Sequence, residues 1–216
     1  MNYFATITGD IIRSQKVRDK EALIKAMESI FRELETGFDV EFPFEIYRGD
    51  SFQGLLSNPV QSLRVAYILR TGLMARAPKN EKWDVRVAIG VGKVDFLSNT
   101  VKTSQGEAFV LAGSALEEMK KYDRIKIRMA ARDEANRQTD VMNRLADAQG
   151  MDWHRTAAEV IYLRLMYKWS QTKIAEHLAI SQAAVHKRLR RARFDAIDFY
   201  IRYFEQDFMP KILENA

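Results

Sequence analysis

The sequence predicts an α+β fold: a ferredoxin-like antiparallel-sheet domain followed by an all-α domain that carries a helix-turn-helix. Three observations predict it. Up to about residue 130 the apolar periodicity alternates between two and 3.6, in the order β-α-β-β-α-β-α-β. From residue 131 onward no segment reads as a strand. Within that second half, residues 169–193 place two short apolar stripes on either side of a tight turn.

The first half is read in order. Tyr3 to Thr8 alternates like a strand and ends at Gly9-Asp10. Asp19 to Glu35 is an amphipathic helix, with Leu23, Met27, Ile30, Phe31 and Leu34 on one face. Phe42–Arg48 and Ser51–Leu56 flank the turn dipeptide Gly49-Asp50 and form a hairpin. Pro59 to Ala75 is a helix with proline near its start and with Leu63, Ala66, Tyr67, Leu69 and Leu73 buried. Trp83 to Gly92 is a strand that alternates at Val85, Val87 and Ile89, and Gly90-Val91-Gly92 reads as a bend at its end. Gly106–Lys121 is a helix and Ile125–Met129 the last strand; Lys120 and Lys121 read as solvated surface.

In the second half, residues 131–152 form a polar linking helix ended by Gly150, and residues 153–216 form the all-α domain. Arg155–Tyr167 is an apolar helix. Ile174, Ala175 and Leu178 make the first stripe of the helix-turn-helix, Ser181 caps the next helix, and Val185, Leu189 and Ala192 make the second stripe. Between Lys168 and Arg193 stand seven Lys or Arg and one acid, Glu176, on a chain whose net charge is +5. Gln182, Ala183, His186 and Lys187 begin the second helix, where such units contact base edges. Arg188, Arg190, Arg191 and Arg193 suit phosphates, which position without reading sequence. The pattern W-S-Q-x-x-I-A-x-x-L-x-I-S-Q-x-A-V resembles the helix-turn-helix of region 4 of sigma factors. The bland alternative is an amphipathic pair with a solvated basic face. Phe194–Ile212 then reads as one long aromatic helix, packed on its own domain or serving as a dimer seam.

The 216 residues are enough for two small domains. With no cysteine, disulfides, thiol nucleophiles and cysteine-ligated zinc are excluded. The first ten residues, MNYFATITGD, do not read as a signal peptide, and no apolar run is long enough to span a membrane, so a cytoplasmic location is expected. His154, His177 and His186 are too scattered to suggest a metal site, and there is no P-loop.

Asp10 follows the first strand and Asp50 sits at the hairpin tip. In a β-α-β-β core these two ends adjoin, so the carboxylates could share a divalent cation with substrate phosphates. Equally, Asp10 could cap a turn and Asp50 simply complete the Gly-Asp turn. Four segments resemble those of class III nucleotide cyclases, in the same order: TGDIIRS at 8–14, YRGDSFQGLL at 47–56, VRVAIGVGKV at 85–94 and GEAFVLAGSALEEM at 106–119. The resemblance implies a palm-type core, Asp10 and Asp50 as ligands of Mg²⁺ or Mn²⁺ with a purine nucleotide, and the backbone of Ile11, Ile12 and Arg13 near the phosphates. It also marks a departure. Active cyclases carry an Asn and an Arg where this chain has Val110 and Ser114, and Ile46 stands where purine-selective members often have Lys. Loss of one such donor costs about 10²–10³ in rate. The whole chain, with its Gly9-Asp10-Ile11 and Ser14 motif and its C-terminal helix-turn-helix, resembles the SatD-like family. The expected function is a DNA-binding transcription regulator, a homodimer on duplex DNA, whose degenerate cyclase-like domain senses a nucleotide or mediates assembly. A metal-dependent nucleotide-processing enzyme and a protein-interaction module are the alternatives.

Overall fold

The computed structural model describes residues 3–47, 49–95, 105–150 and 153–214. Five strands form one mixed sheet in the order β2-β3-β1-β4-β5. They are β1 Tyr3–Ile11, β2 Val40–Tyr47, β3 Ser51–Leu56, β4 Val85–Lys93 and β5 Ile125–Met129. The first four pair antiparallel, as expected, but β5 runs parallel to β4. This corrects the expectation of a wholly antiparallel sheet. A strand–helix–strand crossover returns the chain in its starting direction, so the strand after α3 (Glu107–Glu118) adds parallel.

Period-two alternation sorts the strands onto two faces. Ala5, Ile7 and Ile11 of β1 and Val85, Val87, Ile89 and Val91 of β4 join one core with α1 (Lys20–Gly37) and α2 (Ser62–Arg76). The opposite face packs Ala88 against Ala115 and Met119. Gly90 is not part of a bend. β4 continues to Lys93, and a Cβ at Gly90 would lie 2.2 Å from the carbonyl oxygen of Ala108. The glycine lets α3 sit directly on the strand. The edge strand β2 contains Pro43 and shifts register between Phe42 and Glu45, which suits an edge that need not donate on both sides. Gly49, at φ 83°, makes the hairpin turn; Arg48 lies outside the described residues.

α4 spans Asp133–Gly150 and closes the other edge. Its Asn136 accepts from the Met129 amide at 2.9 Å and donates to the Met129 carbonyl at 3.0 Å. Asp147 accepts from the amides of Arg124 and Ile125 at 2.6 and 3.3 Å. Polar side chains thereby satisfy backbone groups that an exposed edge would leave open. α5 (Arg155–Tyr167) lies on α2, and a single apolar core runs from the sheet through these helices into the C-terminal elements. Those are α6 Gln171–His177, α7 Gln182–Arg191, α8 Phe194–Tyr203 and α9 Met209–Glu214. The one long helix expected after Phe194 is interrupted by a π turn at Phe204–Phe208. Pro210 has no amide hydrogen for the preceding turn, and the Met209 amide reaches back five residues to the Phe204 carbonyl.

Candidate functional site

The end of β1 and the hairpin tip meet as the sequence implies. Asp10 stands opposite Ser51 on one side and Arg86 on the other, and the Ile11 amide donates to the Asp50 carbonyl at 3.0 Å. The Ile12 amide donates to the Asp84 carbonyl at 2.8 Å. Both amides are thus spent within the chain and do not face a ligand. Arg13 follows in the left-handed region at φ 57°, which costs a residue with a Cβ roughly 1–2 kcal/mol. Strained backbone of this kind clusters at functional sites.

These segments line a cavity of about 730 Å³. Six of its lining side chains are basic (Arg13, Lys16, Lys82, Arg86, Lys121, Arg124) and three are acidic (Asp10, Asp50, Asp84). The acids are all engaged. Arg86 grips both Asp10 oxygens, its Nε donating to Oδ1 at 2.9 Å and its Nη2 to Oδ2. Hydrogen bonding to Asp10 holds the Arg86 guanidinium above its ordinary pKa, against the opposing effect of burial. Ser14 donates to Asp50 Oδ2 at 2.6 Å. Asp84 accepts from buried Arg70 at 3.1 and 3.2 Å and from Arg124 at 3.2 Å.

This chemistry does not fit a resident divalent cation. A metal ion needs carboxylate oxygens that face it, whereas here a guanidinium already occupies both oxygens of Asp10. Among the described residues, no three His, Cys, Asp or Glu gather to hold a metal ion. Val110 and Ser114 lie on the exposed side of α3 and do not line the cavity. Arg86 and Arg124 join the site although sequence reasoning does not single them out, and so does Lys121, which reads as solvated surface in the sequence. For Arg86 a signal exists: a strand that passes beside β1 brings its even-numbered residues to the side of Asp10.

The basic C-terminal segment forms two helices, α6 and α7, joined by residues 178–181. Ser170 accepts from the Lys173 amide at 3.2 Å and Ser181 from the Ala184 amide at 3.1 Å, so each helix starts on a serine cap. Ala179 takes φ 51° in the turn. Ile174, Ala175, Val185 and Leu189 are buried. Gln182, Ala183, His186, Lys187, Arg190 and Arg191 are exposed on α7. Two of the expected phosphate contacts are engaged with the chain itself. Arg188 is half-buried and pairs with Glu159 at 3.3 Å, and Arg193 donates to Gln149 Oε1 at 2.7 Å. His154 stands at the start of α5 and His177 in the last turn of α6.

Among the described residues no helix is long and apolar enough to cross a membrane. A comparison with curated proteins finds no match. The model of the SatD family matches residues 3–207, nearly the full length, and the chain therefore belongs to the SatD family.

Proposed function

We propose that the protein is a DNA-binding transcription regulator with a ligand-sensing α+β domain. α6 and α7 act as its helix-turn-helix, with α7 in the major groove. One observation carries the reading: Lys187, Arg190 and Arg191 are exposed on the same capped helix as Gln182, Ala183 and His186, while the apolar residues between them are buried. Gln182 and Lys187 are suited to base edges, and Arg190 and Arg191 to phosphates. The sensing domain is of the ferredoxin-like, cyclase-palm kind. Its antiparallel strands β4-β1-β3-β2 and the meeting of Asp10 with the hairpin tip support that assignment. Duplex-DNA titration of the wild type and of Lys187→Ala/Arg190→Ala tests the reading. Binding that weakens, with a flatter salt dependence, is the expected result.

The regulator works as a homodimer. An apolar groove of about 420 Å³ between α4 and α8 supports this, with Leu145 and Phe199 on its walls 65% and 68% exposed. Groove and protruding side chains on one surface are what a two-fold contact requires.

A second reading, turnover of a nucleoside triphosphate, is favoured by the shared edge of Asp10 and Asp50 and opposed by the Asp10–Arg86 pair. Product formed from ATP or GTP, and absent with Asp10→Ala, would favour the enzyme.

A further inference from the structure

The cavity beside β1 has the field of an anion site. Of its three acids, Asp10 is neutralised by Arg86 and Asp84 by Arg70 and Arg124. Asp50 is tied to Ser14. Asp50 keeps its negative charge, but the six basic side chains of the lining outnumber the three acids. Arg13 and Lys16 are exposed there, and among the described residues neither enters an ion pair with an acid. A concave wall with an excess of one sign of charge focuses its potential inward. The cavity size lies within the range typical of small-molecule sites.

The rim adds a second kind of group. Tyr122 lines the cavity and is 62% exposed, so its ring offers a face to solvent. Lys121 lies 5.7 Å from the centre of that ring. An exposed ring next to a cation is the pairing that holds a heterocycle with an attached phosphate: the flat base stacks and the charge meets the oxygens.

We propose that this cavity binds a nucleotide without any divalent cation. The phosphates lie at Arg13, Lys16 and Lys121, and the base stacks on Tyr122. Arg86 neutralises Asp10, and the one remaining carboxylate charge, on Asp50, is outweighed by Arg13, Lys16 and Lys121. This inference rests on the reading of the α+β domain as the ligand sensor, and adds the ligand class and its independence of metal.

The test is titration calorimetry on the full chain with ATP, GTP and inorganic tripolyphosphate, each in EDTA and in magnesium. Two variants are run beside the wild type. Arg13→Asn/Lys16→Ala removes two charges while keeping a residue that tolerates positive φ, and Tyr122→Ala removes the ring. ATP or GTP binds in EDTA with an affinity similar to that in magnesium. The double variant weakens both the nucleotide and tripolyphosphate by about tenfold or more, as expected for charge-assisted contacts. Tyr122→Ala weakens the nucleotide about fivefold or more, the equivalent of one stacked base, and leaves tripolyphosphate unchanged. Binding only with magnesium, no binding of any probe, or tripolyphosphate as tight as the nucleotides would overturn the proposal. The same samples are titrated with duplex DNA. DNA binding without nucleotide binding removes this inference alone, and nucleotide binding without DNA binding removes the regulator reading alone.

Discussion

Arg70 is completely buried on a helix that reads as apolar, and it organises the polar groups around it. It pairs with Asp84 at 3.1 Å and approaches Asp147 at 3.8 Å, with the Trp153 ring 5.9 Å from its guanidinium carbon. Arg70 Nη1, Asp147 Oδ1, Tyr67 Oη and Asn143 Nδ2 are buried with no hydrogen-bond partner among the described residues. Burial pushes the Asp147 carboxyl up to about 6, against the attraction of Arg70 and the bonds from the Arg124 and Ile125 amides. The folded chain thus protonates Asp147 below about pH 6, whereas the unfolded chain keeps it ionised down to about pH 4. The group's contribution to stability therefore grows as pH falls from about 7 to about 4, by on the order of 2–3 kcal/mol. Asp147→Asn should remove this pH-dependent part, as read from urea unfolding of both proteins at pH 7, 6 and 5. Equal pH slopes in the two proteins would contradict it. None of this cluster is legible in the sequence. Asp84 follows Arg70 by 14 positions, and in the half-buried pair Arg64–Glu205 the acid follows by 141, so only the fold brings the partners together.

Elements are legible where local chemistry decides them. The serines at 170 and 181 announce their helices because a hydroxyl at that position answers an otherwise open amide. Ser181→Ala should cost about 1 kcal/mol. It should also lower DNA affinity, since α7 starts from that cap; thermal unfolding and DNA titration together check both effects. Elements are illegible where a neighbour decides them. α2 is buried on every side from Ser62 to Met74, between the sheet and α5, so its one-faced reading understates it. The polarity of α4 suggests a mere linker, yet its Asn136 and Asp147 complete the edge of β5. The strain at Arg13 and the π turn before Pro210 have no signature in periodicity.

At the scale of the molecule, the α+β and helical parts share one core, and polar contacts cross between them. Glu33 of α1 accepts from Tyr162 of α5 at 2.7 Å and from Tyr167, and it pairs with Arg76 of α2. Within the helical part, Trp153 donates to the Ala192 carbonyl at 2.9 Å, just beyond α7. The apolar groove makes the prediction at this scale. Light scattering should give a dimer for the wild type and a monomer for Leu145→Asp/Phe199→Asp with an unchanged circular dichroism spectrum. A wild-type monomer would remove the dimer.

The most direct measurement is the affinity for duplex DNA across a salt series, for the wild type and Lys187→Ala/Arg190→Ala. For a regulator that grips phosphates through α7, the logarithm of affinity falls linearly with the logarithm of salt. The double variant binds more weakly, and its slope is shallower by about one for each phosphate it no longer grips. Unchanged affinity and slope in the variant, or no binding by the wild type even at low salt, would contradict the account and turn α6 and α7 toward a protein partner.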